Sequence, residues 1–277
     1  MNINLLSPDS KIPNLAIMKL SSFHKQMGDQ VELNFPLLGA DMTYASVVFD
    51  WTEIPEADIV GGTGVDLCSK LDPEIESMKP DYDLYPNMSY SMGYTYRACP
   101  RNCSFCVVPK QDNSEDHHSI WDFHNERFKA ICLLNNNTLA DPYWRDTFDE
   151  INDAKLRIVD QNGYDVRLIT EEVAYQISKL KFVNNIHIAW DYPEHEIEVL
   201  QGCCNLIKYV KPYRITCYVL IGETTHKENL DRVSALYAMG IMPFVMPLNK
   251  YDSYQKKFAR WVNHKAIFKS VAWRDYK

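Results

Sequence analysis

Hydrophobic and polar positions along this chain follow two periods, and the places where one gives way to the other divide it into elements. Over residues 14–30, Leu15, Met18, Phe23 and Met27 recur at helical spacing with polar residues between them, which predicts a helix that Gly28 and Asp29 end. Short apolar runs predict strands at 31–35, 46–49 and 57–60, the last closing on Gly61, Gly62, Thr63 and Gly64. That turn lacks both a Gly-Lys-Ser/Thr ending and a G-x-G-x-x-G pattern, so it reads as a structural turn in place of a phosphate loop. From residue 91 onward the alternation becomes regular. Strands are predicted at 91–96, 129–134, 156–159, 186–190, 214–221 and 242–246, with helices at 143–153, 171–180, 194–200 and 227–239.

Alternating βα units of this length call for a parallel sheet, and a succession of them predicts an open or partial (β/α)6 TIM-like barrel. In such folds chemistry collects at the C-terminal ends of the strands. Between the two patterned regions, residues 71–87 hold Pro73, Pro80 and Pro86 among Asp72, Glu74, Glu76, Asp81 and Asp83, a composition suited to an extended connection. Tyr82, Leu84 and Tyr85 suggest that this connection lies against a surface. The expected α/β organisation is therefore a small Rossmann-like domain at 1–70, a linker at 71–87, the barrel at 88–250 and a C-terminal helical extension at 251–277.

With 46% hydrophobic and 24% charged residues among 277, disorder, collagen and coiled coil are excluded. A net charge of −8 argues against a protein organised wholly around a polyanion. No apolar run reaches membrane-spanning length and residues 1–11 carry neither a basic nor an apolar leader segment, so the expectation is a soluble, cytoplasmic protein with no membrane partner. Charge is uneven, however: residues 249–277 hold eight Lys or Arg against two Asp, leaving that stretch at +6 and the remainder at −14. Aromatic residues interleave with those cations, as an RNA-holding tail would require. The competing reading is that Phe258, Trp261 and Val262, at helical spacing, anchor a helix and leave the lysines solvated, and we favour it.

The eight cysteines are too unevenly placed for a disulfide scaffold. Cys99, Cys103 and Cys106 stand at C-x3-C-x2-C spacing directly after the first predicted barrel strand. Zinc commonly takes four protein ligands, and no second pair is spaced to complete this set. Three thiolates better suit a cubane iron-sulfur cluster with one iron left without a protein ligand. Cys132 and Cys217 fall within predicted strands and read as core residues, and the adjacent Cys203 and Cys204 do not suggest a second cluster.

With Phe105 just before the last cysteine, this segment resembles the C-x3-C-x-aromatic-C motif of the radical S-adenosylmethionine (SAM) superfamily, and the resemblance extends over roughly 89–249. It implies an enzyme with one [4Fe-4S] cluster on Cys99, Cys103 and Cys106, which reductively cleaves SAM to a 5′-deoxyadenosyl radical that abstracts hydrogen from a substrate. It also implies a flavodoxin or ferredoxin-type electron donor. Family members often carry a Gly-Gly-Glu-like segment after the second strand; Asn135, Asn136 and Asn137 stand there, making Asn136 the candidate for the SAM amino group or else part of an Asn-rich turn. Arg167 is the candidate for the SAM carboxylate, the alternative being a local ion pair with Asp165 or Glu171. Asp191, directly after the fourth barrel strand, is the ribose candidate or a helix cap. Gly222 alone fits the family's G-x-I-x-G-x-x-E pattern, which associates it with adenine.

The N-terminal region resembles the cobalamin-binding-type domain that precedes some of these barrels. Its usual D-x-H-x-x-G cobalt motif is lacking, since His24 has no matching Asp and its spacing to Gly28 is wrong; a vestigial or substrate-gating role is favoured over cobalamin bound without a His ligand. Two rivals remain open: a cobalamin-dependent methylase, and a non-catalytic zinc or iron-sulfur module with a nucleic-acid-binding tail. Residues 111–125 hold His117, His118 and His124 and read as a solvated loop that could act as a lid.

Overall fold

The computed structural model describes residues 1–9, 11–35, 39–111 and 113–277. The chain is mixed α/β with parallel sheets and divides into two compact units, Met1–Asn136 and Asn137–Lys277.

In the first unit β1 (Asn2–Leu6) is followed by α1 (Leu15–Gln26), β2 (Gln30–Leu33), β3 (Met42–Ser46) and β4 (Ile59–Gly61), and the four strands form a parallel sheet in the order β2-β1-β3-β4. The central strand β1 escaped the sequence reading because Asn2 and Asn4 interrupt its apolar run, although Asn4 is itself buried. The strand expected at 46–49 lies earlier. Past Ser46 the backbone leaves the ladder: the Val48 N–H donates to the Asp9 carboxylate at 2.7 Å, so the apolar Val47–Val48–Phe49 run forms the strand's exit. Helix α1 begins where the Asn14 side chain accepts from the Ile17 N–H, and it ends before Gly28, whose φ of +83° favours glycine.

Residues 71–87 hold α2 (Pro73–Glu76) and a 3-10 turn at Tyr82–Leu84. Ile75 joins Ile3, Leu5, Ile17 and Leu20 in the core of this sheet, with Leu71 and Leu84 packed against it. Further on, β5 (Ser91–Gly93) and β6 (Ala130–Leu133) pair in parallel. The long connection between them carries the three cysteines.

The second unit runs α3 (Trp144–Asp153), β7 (Arg157–Ile158), α4 (Glu171–Lys179), β8 (Lys181–Phe182), β9 (Ile186–Ala189), α5 (Glu196–Ile207), β10 (Ile215–Ile221), α6 (His226–Ala238), β11 (Met242–Pro247), α7 (Ser253–Asn263) and α8 (Lys265–Ser270). β7 pairs in parallel with β8, and β9, β10 and β11 form a parallel sheet in the order β11-β10-β9. The helix expected to stop at Leu200 continues to Ile207. Gly202 lies inside the helix and serves close packing, because a Cβ there would stand 2.0 Å from the Val166 carbonyl oxygen. In the C-terminal extension Phe258, Trp261 and Val262 of α7 are buried, as their helical spacing predicts. No helix among the described residues is long and apolar enough to cross a membrane.

Candidate functional site

The cysteine segment leaves the C-terminal end of β5 and runs without regular structure until a 3-10 turn at Val108–Lys110. Side chains from both neighbouring segments fix its root. Asn135, buried just past the end of β6, accepts through Oδ1 from the Thr95 and Tyr96 N–H groups at 2.8 and 3.1 Å, and its amide donates to Thr95 Oγ1 at 2.8 Å. The Asn136 amide donates to the Arg97 carbonyl and, at 3.3 Å, to Asn113 Oδ1. The Arg97 guanidinium lies 4.0 Å over the Tyr94 ring and pairs with Glu76 at 2.6 Å. Glu76 also receives Lys19 of α1 at 2.8 Å, so one carboxylate ties the N-terminal helix to the start of the cysteine loop. Desolvation lowers the Lys19 pKa, and Glu76 opposes that only in part.

Cys99, Cys103 and Cys106 are half-buried thiols, and the Cys106 N–H donates to the Cys103 carbonyl at 3.1 Å. As a donor set, three thiols within eight positions of irregular backbone fit a group held by three thiolates. Among the described residues, no three His, Cys, Asp or Glu side chains are grouped to hold a single metal ion. A zinc ion gathers its sulfurs at about 2.3 Å around one point, whereas a cluster spreads its thiolates over separate irons.

Sequence reasoning chose Asn136 and missed Asn135, the better-connected of the two and the residue whose side chain organises the turn after β5. The signal was its position, immediately beyond a strand and among amides able to bond a neighbouring backbone.

Arg167, Asp191 and Gly222 belong to the second unit and fall past the ends of its strands. Arg167 grips Asp165 with two bonds, Nε to Oδ1 at 2.8 Å and Nη2 to Oδ2 at 3.1 Å, so the local ion pair forms, and a SAM carboxylate would have to share that fork. Asp191 follows β9 and does not cap a helix; the Ser, Thr, Asp or Asn side-chain cap expected there is absent and the helical turn begins at Pro193. Burial pushes its carboxyl up to about 6, against the opposing pull of Arg232 and then Arg167. Gly222 has φ +134°, and a Cβ there would meet Leu248 Cβ at 2.8 Å, which explains the glycine by backbone and packing.

Arg232 is the residue the sequence did not announce. It lies on α6 and is 2% exposed, and its guanidinium donates to the carbonyls of Trp190, Asp191 and Leu220 at 2.8–2.9 Å and to Asn229 Oδ1 at 2.8 Å. It joins the ends of β9 and β10 and brings a positive charge beneath Asp191.

Two of the loop histidines, His124 and His118, have different surroundings. His124 is buried and its Nδ1 lies 3.0 Å from Ser91 Oγ on β5, a correction to the reading of a wholly solvated loop; burial lowers its pKa. His118 is exposed, 3.7 Å from Asp122. Asp112 of the same loop lies outside the described residues. His24, considered for cobalt, is buried with Nδ1 2.8 Å from Asp29 Oδ2. Cys132 and Cys217 are buried strand residues, and burial pushes the Cys217 thiol up. No known protein family matches this chain, and no curated protein matches it in sequence.

Proposed function

We propose that this protein is a radical SAM enzyme: Cys99, Cys103 and Cys106 hold a [4Fe-4S] cluster, and the parallel βα units form the partial (β/α)6 barrel of that superfamily. The observation that carries this reading is the C-x3-C-x-Phe-C segment at the C-terminal end of β5, where a parallel sheet offers its loops to chemistry. When bound, the cluster supplies the electron that breaks the bond between the sulfonium sulfur and C5′ of SAM. The protein's own part is to hold the thiols and orient the partner molecule. Asn135, Asn136 and the Arg97–Glu76 pair fix the root of the loop that carries the three thiols. Asn136, Arg167, Asp191 and Gly222 are the SAM contacts proposed by resemblance. For Asn136 and Arg167, the bonds described above mean that SAM would compete with partners already in place. A flavodoxin or ferredoxin supplies the electrons, and SAM and the cluster are the only cofactors in this reading, with cobalamin disfavoured.

Electron paramagnetic resonance of anaerobically reconstituted, dithionite-reduced protein tests it, recorded with and without SAM. The expected result is a reduced [4Fe-4S] signal that changes when SAM is added. Cys99→Ala should lose that signal together with reductive SAM cleavage. A signal indifferent to SAM would overturn the catalytic reading, and a tightly bound zinc ion on the same thiols would replace it with the structural-metal alternative.

A further inference from the structure

The sheet β9-β10-β11 has two unlike faces. On one, Ile188, Cys217, Val219 and Val245 are at most 1% exposed, as are Val233 and Leu236 of α6 and Phe258 and Val262 of α7. The register of the strands puts His187, Tyr218, Phe244 and Met246 on the other. His187 and Tyr218 stack with centroids 5.0 Å apart and planes within 10°, and Tyr218 meets the edge of Phe244 at 5.9 Å. Phe244, Met246 and Leu248 remain 43%, 45% and 46% exposed. Parallel sheets are ordinarily covered on both faces. A row of aromatic and thioether side chains left half in water is the composition of a ligand surface.

We infer that this face seats a flat, uncharged ring of the protein's substrate, lying on Phe244 and Met246 with Tyr218 beside them. Three observations select that occupant. The strand residues of the face, His187 and Ala189, Thr216, Tyr218 and Leu220, then Met242, Phe244 and Met246, include no Lys, Arg, Asp or Glu, and the Asp160 carboxylate beside them already accepts from the His187 and Gly163 N–H groups at 2.7 and 3.0 Å. The polar groups at its edge already have partners, since His187 Nδ1 lies 2.9 Å from the Asp160 carbonyl and Thr216 Oγ1 accepts from Asn185 at 2.9 Å. The area is small. At ~200 Å² for a whole side chain, the three exposed residues offer ~270 Å², about a third of the ~800 Å² per partner of a standard protein interface and the scale of one or two rings. A second copy of the chain, or a protein partner, would gain too little there. Assigning the ring to a substrate rests on the proposed function; the existence of the ring site does not.

Indole is the probe, read by nuclear magnetic resonance of the intact chain carrying methyl-labelled methionine, with Met242 and Met246 assigned by substituting each with Leu. Indole should shift those two methyl signals saturably, and Phe244→Ala should weaken its binding about tenfold, the loss expected for one aromatic contact with its buried area. The unchanged signals of distant methionines report that the variant is folded. Absent shifts at Met242 and Met246, or shifts that survive Phe244→Ala, would overturn the inference. Shifts produced by raising protein concentration alone would assign the face to a second copy and overturn the inference. The reconstituted cluster provides the separate arm: a signal indifferent to SAM with indole binding intact removes the proposed function and keeps the ring site, while a SAM-responsive cluster without indole binding does the reverse.

Discussion

Asp191 is a buried acid outside the cysteine loop, and Arg232, which donates to its backbone carbonyl, is the nearest source of opposing charge. The Asp191 carboxyl is pushed from 3.8 to about 6, and burial is the largest cause. The folded protein therefore favours the protonated acid more than the unfolded chain does. This contribution to stability is full below pH 3.8 and is lost as pH rises through about 6. Asp191→Asn, which cannot ionise, should leave a urea-unfolding free energy that gains on wild type across that window, by at most about 3 kcal/mol at neutral pH. A difference that stays flat with pH would show that Asp191 ionises alike folded and unfolded. At this scale the sequence speaks through spacing, on which the reading of Cys99, Cys103 and Cys106 rests. It was opaque where chemistry depends on packing between distant segments. Nothing in the neighbourhood of Arg232 in the chain signals that its guanidinium will bond to carbonyls at 190, 191 and 220. Glu76 is likewise an ordinary acid in sequence, and only the fold brings Lys19 and Arg97 to it.

Elements with strong local signals were read well, and α6 illustrates why. Thr225 accepts from the Glu228 N–H at 3.2 Å while the Glu228 carboxylate accepts from the Thr225 N–H at 2.8 Å, a reciprocal cap that starts the helix at His226. Thr225→Ala should cost about 1 kcal/mol in urea unfolding, with Thr225→Ser losing much less. An Ala variant as stable as wild type would mean that tertiary packing alone sets the start of α6. Its residues 226–238 nearly coincide with the predicted 227–239, and β9, β10 and β11 also lie within a residue or so of expectation. Failures occurred where one residue serves two purposes. Gly202 is a stop by its own propensity, yet the approach of Val166 keeps it inside α5. Asn4 breaks an apolar pattern, yet β1 buries it at the centre of a sheet. The two-residue strands β7 and β8 present too short a pattern for their ends to be read from periodicity.

Charge distribution over the whole molecule frames the question of nucleic acid. A chain of net −8 with +6 in its last 29 residues invites the idea of a basic tail that grips RNA. Stacking on bases needs exposed ring faces. Here Phe258 is 0% and Trp261 4% exposed, and both pack against Trp273, with centroids 5.1 and 5.4 Å away, while Tyr254 stands 5.9 Å from the same indole. Trp261 Nε1 donates to the Val271 carbonyl at 2.9 Å, which closes the last turn of chain onto α7. The rings Phe258, Trp261 and Trp273 are thus committed to one another, and of the cations Lys257 lies 5.8 Å over the Trp273 ring and Arg274 pairs with Asp275 at 3.5 Å. Two outcomes follow. Trp273→Ala should destabilise the protein by about 2 kcal/mol in urea, because it opens a half-filled space among three rings. Fluorescence anisotropy with a labelled single-stranded RNA at physiological ionic strength should find weak binding that is equal in wild type and variant and vanishes as salt rises, the behaviour of diffuse charge without stacking. Tight binding that Trp273→Ala abolishes without loss of stability would reverse the argument and make this aromatic cluster a nucleic-acid surface.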